Sequence, residues 1–363
     1  MKQFITLLIY VSLIGITAKS ADAQKSIYER SWQSVATGMP EEWYGSEESK
    51  VIAENVLLYQ RDVGGWPKNT PFHKPLSDGE KAQVAEDKDK PDAIFDNGAT
   101  TTEMRFMAKM YSNTKTDAYK KSVEKGLQFV MEAQYKNGGW PMFYPLRKGY
   151  YTHITFNDDA TFRLMNLLND IYQKKPIFDF ISDEKIVAQV KKAWDNGLKC
   201  ILKTQIVVNG KPTVWCAQHD EITLLPAKAR SYELPSFSGG ESVGLLFLLM
   251  DIENPSPEVI RSVKGGIEWL ESHQLKNTRW DSFTNSDGKR DRRIVSDPNA
   301  GSMWARFYDL DTQLPYVCDR DGIKKNTLEE IGYERRNGYS WYSTLPQKAL
   351  DAYPKWKERW IKF

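Results

Sequence analysis

Two acid-rich stretches of this chain have the residue types and the spacing to hold a cation. The first reads Asp96-Asn97-Gly98-Ala99-Thr100-Thr101-Thr102-Glu103 and the second Asn157-Asp158-Asp159-Ala160-Thr161, with their Ala-Thr pairs 61 positions apart. Each precedes a segment of helical apolar spacing, so both loops open helices and hold related places in consecutive units. Asp96 with Asp158 or Asp159 would make an oxygen-rich, partly hydrated pocket suited to a hard ion such as calcium. Helix capping accounts for one carboxylate per helix. It leaves Asp158 beside Asp159 unexplained, and the two readings stand level.

A third loop, Leu225 to Pro235, presents Lys228 and Arg230 between Pro226 and Pro235. Further along, Arg306 and Arg320 add planar forks that suit bidentate binding of carboxylates. A single arginine is by default half of a surface ion pair. Several together, beside candidate cation ligands and the loop-held rings Trp140 and Trp215, favour a substrate that carries repeated carboxylates. The four histidines show no HExxH-type spacing, and Cys200, Cys216 and Cys318 are too few for a zinc knuckle or a disulfide framework. One disulfide is open to them, with at least one thiol left over.

The charge balance narrows the partner. With 50 Lys+Arg against 48 Asp+Glu in 363 residues the net charge is only +2, and no dense basic block appears, which argues against nucleic acid. Aromatic residues make up 12% of the chain, a generous supply of rings for gripping a sugar. At the start, Lys2, the apolar run Phe4 to Ile16 and Ala21-Asp22-Ala23 read as a signal peptide over 1–23. The run is shorter than the roughly 20 residues that span a bilayer. The expected product is a secreted or periplasmic protein without stable membrane insertion, its residues 24–363 forming a single catalytic domain.

The elements that must position these groups show in an internal repeat. Gly126 is followed eight residues later by Gln134 and then by Gly138-Gly139-Trp140; Gly197, Gln205 and Trp215 repeat the series, as do Gly266, Gln274 and Trp280. A worn first copy keeps Gln60 and Gly64-Gly65-Trp66. A period near 70 holds two helices with their loops, and the Gln and Trp read chiefly as structural ties at each turn. Trp140 and Trp215 are the exceptions, as rings held in loops at one mouth. The segment 242–250 is apolar almost all round and is expected to be fully buried. The fold class is therefore all-α: an α/α toroid of about three helical hairpins, followed by an irregular, loop-rich C-terminal extension rich in Arg and Asp.

The stretches QRDVGGWPKN (60–69), DNGATTTEMRF (96–106), GGWPMFYPLRKGYYTHITFNDDAT (138–161), VWCAQHDEITLLPAKARSYELPSFSGGES (214–242) and RFYDLDTQLPYVCDRDG (306–322) carry a resemblance to the pectate lyases of polysaccharide lyase family 10. It extends over nearly all of the mature length. It implies an α/α toroid that cleaves polygalacturonate (pectate) by calcium-dependent anti β-elimination; a monomer is expected. Under it Asp96 and Asp158 match the calcium ligands, Arg230 the proposed base, and Arg306 and Arg320 the arginines that bind substrate carboxylates. Lys228 shares the loop of Arg230 and is expected to touch substrate, as is Trp215. Lys228 is also the alternative base.

The repeat also looks like the QW repeat of triterpene cyclases, but the chain has no DxDD acid cluster and is hydrophilic on average. An inverting glycoside hydrolase on a toroid, using two carboxylates, and a non-catalytic binder of acidic polysaccharide are the other rivals.

Overall fold

A computed structural model describes residues 26–361; the leader expected over 1–23 lies outside them. Three α-helical hairpins follow one another: α2 (Thr101–Thr114) with α3 (Asp117–Glu132), α4 (Ala160–Tyr172) with α5 (Glu184–Thr204), and α6 (Glu241–Met250) with α7 (Pro257–Ser272). They are preceded by α1 (Glu47–Tyr59), which packs on α2 and α3, and closed by α8 (Pro346–Trp360), which packs on α6 and α7. The inner helices α2, α4 and α6 touch in that order, giving the α/α toroid.

Sequence explains which helices lie inside. Helix α3 buries Val123, Gly126, Leu127, Phe129 and Val130 while Lys121, Lys125 and Gln128 stay exposed, so it has one face for the core and one for water. Helix α6 buries eight of its ten residues, from Glu241 to Leu249. Its Phe247 and Met250 are only half-buried and face α8, so burial there stops short of complete.

The glutamine at each turn is a tie between neighbouring units. The Gln60 amide donates to the Gly64 carbonyl and to that of Ser122 on α3. Gln134 donates to Gly138 and to Ala193 on α5, and Gln205 to Thr213 and to Ser262 on α7. Each amide thus serves its own turn and the next outer helix. Gln274, with no further outer helix ahead, donates to Glu271 and accepts from Ser302.

The tryptophans form a parallel series. Trp66, Trp140 and Trp215 donate their indole N–H to Val56, Val130 and Ile201 of their own outer helices. The first two rings lie where the next outer helix has a glycine: a Cβ added at Gly126 would stand 3.2 Å from Trp66, and one at Gly197 3.0 Å from Trp140 and 2.3 Å from Met165. The fourth member is Trp304, which donates to Leu270, and not the expected Trp280. A β-hairpin of β3 (Thr278–Thr284) and β4 (Arg290–Ser296) is inserted between Gln274 and its tryptophan, and Trp280 belongs to that insert.

The C-terminal extension has more order than its composition suggests. Strands β5 (Phe307–Tyr308), β6 (Pro315–Cys318) and β7 (Lys324–Lys325) form a small antiparallel sheet. Tyr232, Phe307, Tyr316, Val317, Tyr339 and Trp341 gather there in a second small core. Cys200, Cys216 and Cys318 are all buried free thiols.

Candidate active site

The N-termini of the inner helices share an unusual construction. Outer helices α1, α5 and α7 are capped by the side chains of Ser46, Asp183 and Ser256, whereas α2, α4 and α6 carry no side-chain cap. Asp96 and Asp158 instead sit in single 3-10 turns just before α2 and α4. Asn97 has φ 54° and Asp158 φ 50°, a left-handed conformation that Asn and Asp tolerate better than most residues. Neither aspartate caps its helix, so capping does not explain them.

The two turns converge on a cavity of about 230 Å³. Lys68, Asp96, Asn97, Asn157, Asp158, Gln218, Arg230 and Glu233 supply its polar wall, and Tyr150 and Tyr151 its aromatic one. The loop 216–219 is drawn alongside by the short strands β1 (Ile154–Thr155) and β2 (Gln218–His219). His219 at their junction accepts from the Cys216 N–H and faces the Leu224 carbonyl; burial lowers its pKa to about 4, so it is a neutral structural residue.

Asp96 is buried and accepts from the Lys68 ammonium. Asp158 has its pKa raised by burial and then by the negative charge of Asp96 nearby. Two carboxylates pressed together with a lysine drawn in between elements show a local demand for positive charge. The donors are all hard oxygens, Asp96 and Asp158 with the amide oxygens beside them, and this set fits calcium. A second group, His153, Asp220 and Glu221, brings ligand-type atoms within 4.8 Å of one another, but it lies outside this cavity.

Arg230 lines the cavity with its guanidinium locked to Glu233: Nε donates to Oε2 at 2.7 Å and Nη2 to Oε1 at 2.5 Å. Burial alone would lower the Arg230 pKa, yet the Glu233 carboxylate more than offsets it and holds the group above the usual arginine range. Tyr339 donates its hydroxyl to the same Glu233 Oε1 at 2.6 Å.

Arg306 approaches from behind Asp158. Its Nη2 donates to Glu241 at 2.6 Å and to the Asn157 amide oxygen at 3.1 Å, and lies 3.9 Å from Asp158 Oδ1. Glu241 also accepts from the Asp158 backbone N–H at 3.0 Å, so one buried carboxylate fixes both residues. Burial pushes the Glu241 carboxyl up to about 7 even with Arg306 pulling the other way.

Three expected site residues lie elsewhere. Trp215 has no exposed surface and bonds Ile201, so its proposed contact with substrate is corrected to a core role: a ring that ties its helix cannot also face solvent. Arg320 is exposed and pairs with Glu334, outside the cavity lining. Lys228 is exposed and also outside the lining; a Cβ built on Gly322 would be 3.9 Å from its Nζ. Asp159, the uncertain neighbour, faces α6, its Oδ1 only 2.7 Å from a Cβ built on Gly244.

The sequence reading missed Lys68, Glu233, Glu241 and Tyr339. Ser242 takes the Trp215 N–H as Thr100 takes that of Trp66, so Glu241-Ser242 opens α6 in the place of Ala99-Thr100 before α2, with the acid standing where that loop has alanine.

The pectic acid lyase family matches residues 60–350. A family 10 polysaccharide lyase from Cellvibrio cellulosa is 33% identical, with a TM-score of 0.75 over 89% of this chain and 94% of that one. An aspartate-to-alanine mutant of family 10 polysaccharide lyase from the same organism, in complex with trigalacturonic acid, is 34% identical, with a TM-score of 0.75 over 87% of this chain and 95% of that one. Comparison with curated proteins gives no match.

Proposed function

Since the chain belongs to the pectic acid lyases of polysaccharide lyase family 10, we propose that it cleaves α-1,4-linked polygalacturonate by calcium-dependent anti β-elimination, leaving a 4,5-unsaturated uronide. The observation that carries this reading is the convergence of Asp96, Asp158 and Arg230 on one cavity from loops far apart in sequence.

The C5 proton of a uronate is a poor acid because its loss places further negative charge beside a carboxylate. Asp96 and Asp158 are the residues that would hold calcium, which supplies Lewis-acid stabilisation of that charge. Lys68, drawn onto Asp96, and Arg306, held by Glu241, keep the surroundings positive. Arg230 is the group placed to act on the C5 proton as the C4 oxygen departs, with no water consumed. Taking the proton requires a neutral guanidine. Glu233 opposes that state, while the gathered cations favour it.

The Glu233 ion pair supports a second reading, in which Arg230 stays charged and stabilises the developing anion while another group accepts the proton. The pH–rate profile of Arg230→Lys separates the two: activity that rises with pH at lower values than in the parent protein supports proton removal by residue 230, and an unmoved profile supports the second reading.

The protein would act as an exported monomer, residues 24–363 forming the catalytic domain. The test is ultraviolet absorbance during incubation with polygalacturonate, with calcium and with a chelator. Calcium-dependent growth of the unsaturated uronide signal is expected. New reducing ends without that signal would mean hydrolysis. Asp158→Ala is expected to raise the calcium requirement steeply; an unchanged calcium dependence would move the metal elsewhere.

A further inference from the structure

Arginine on a loop is a poor instrument for chemistry unless its several rotatable bonds are fixed. Arg230 projects from the loop between Pro226 and Pro235 with its side chain 43% exposed, its guanidinium 5.1 Å from the ring centre of Tyr232 in the same loop. What holds it is a carboxylate three residues on, itself held from a distant part of the chain. Glu233 is only 8% exposed and spans Nε and Nη2 of Arg230 while its Oε2 also takes the Arg230 backbone N–H at 3.2 Å. The Tyr339 hydroxyl donates to Glu233 Oε1, so both carboxylate oxygens are engaged.

The Tyr339 ring has a second contact. It lies within reach of three guanidinium groups, with Arg306 4.6 Å, Arg230 5.6 Å and Arg335 5.9 Å from its centre. An aromatic ring attracts such cations and so helps to hold them in place. Tyr339 is in turn fixed by the small C-terminal core, tilted against Trp341 and edge-on to Tyr232.

We propose that Glu233 and Tyr339 are positioning residues for the elimination: Glu233 occupies one edge of the Arg230 guanidinium, leaving Nη1 for the cavity, and Tyr339 fixes Glu233 in that pose. The inference rests on the lyase reading and on Arg230 acting in it, by either its charge or its lone pair. Neither residue was singled out by the sequence, and neither need touch substrate.

The experiment uses the full chain with calcium and polygalacturonate, and crosses Glu233→Gln and Tyr339→Phe with Arg230→Lys. Both single changes are close in shape: Gln retains one acceptor oxygen, and Phe retains the ring beside the arginines. In the otherwise unchanged protein, Glu233→Gln is expected to lower kcat about tenfold or more, and Tyr339→Phe about threefold to tenfold, with KM within about twofold. In the Arg230→Lys background neither change is expected to lower kcat further, because its effect runs through a guanidinium no longer there. Melting temperatures of all variants are measured alongside.

Equal losses in both backgrounds, or a raised KM with unchanged kcat, would overturn the assignment and leave a structural contact. Full activity in both single variants would overturn it as well. A starting protein that makes no unsaturated product would instead sink the lyase reading itself, so the two failures are distinguishable.

Discussion

At the scale of single residues, a side chain's work is decided by what has already claimed its polar atoms. Trp215 is a ring in a loop, which in sequence resembles a sugar platform; its N–H is taken by Ile201 and its ring is sealed in the core. Trp215→Phe should therefore cost about 1–3 kcal/mol of stability, by leaving a buried carbonyl without its donor, and should leave KM for polygalacturonate unchanged. Chemical denaturation and steady-state kinetics check the pair of outcomes, and a raised KM at normal stability would restore the ring to the substrate. Asp96 and Asp158 were legible because they recur before matching Ala-Thr pairs. Glu233 was not, because its meaning comes from Tyr339, 106 positions away, and no local pattern announces such a contact.

At the scale of elements, the repeat was legible where the turn was short. Trp66 and Trp140 each lie ten residues beyond the carbonyl they bind, while Trp215 lies 14 beyond and Trp304 lies 34 beyond. The β3–β4 insert placed another tryptophan, Trp280, nearer the expected position, and spacing alone favoured it. The tight turns carry a prediction of their own. Gly138 has φ +96° and would bring a Cβ 2.0 Å from the Asn196 carbonyl oxygen of α5, whereas Gly149 has φ +94° with open space around it. Both alanine variants bear the penalty of a side chain at positive φ, about 1–3 kcal/mol. Gly138→Ala should lose about 1–3 kcal/mol more, as the turn is pushed off the next helix. Denaturation midpoints of the two variants test this; equal values would mean that the turn yields freely.

At the scale of the molecule, the first described residues are joined to the ring through a buried acid. Glu103 on α2 accepts from the Trp32 indole at 2.6 Å, and burial raises its pKa from 4.5 to about 7. Between these values the folded protein keeps a proton that the unfolded chain has released. Stability therefore falls as pH rises through that window and levels off above it, by about 3 kcal/mol from this one group. Glu241, whose carboxyl also stands near 7, acts in the same direction. His219, held neutral by burial, acts the other way up to the ordinary histidine range, so the test is a difference: between pH 5 and pH 8 the stability of Glu103→Gln, measured by urea unfolding, should fall by about 2–3 kcal/mol less than that of the parent protein. An unchanged slope would mean that Glu103 is ionised throughout. Nothing in the local sequence marks this glutamate, since its neighbour in space lies 71 positions earlier.

The inserted hairpin bears on any attempt to shorten the chain. It interrupts the Gln–Trp series and adds no helix, so a minimal version joining residue 276 to 303 looks reasonable on paper. Yet Asp291 on β4 accepts from Nε and Nη2 of Arg336 at 2.7 Å and from the Asn337 amide at 2.8 Å. Those residues lead directly to Tyr339. Trimming the hairpin would spare the ties between units of the ring, losing only the Ser302 bond to Gln274, and would release the strut behind Glu233, so such a miniature should lose turnover before it loses its shape.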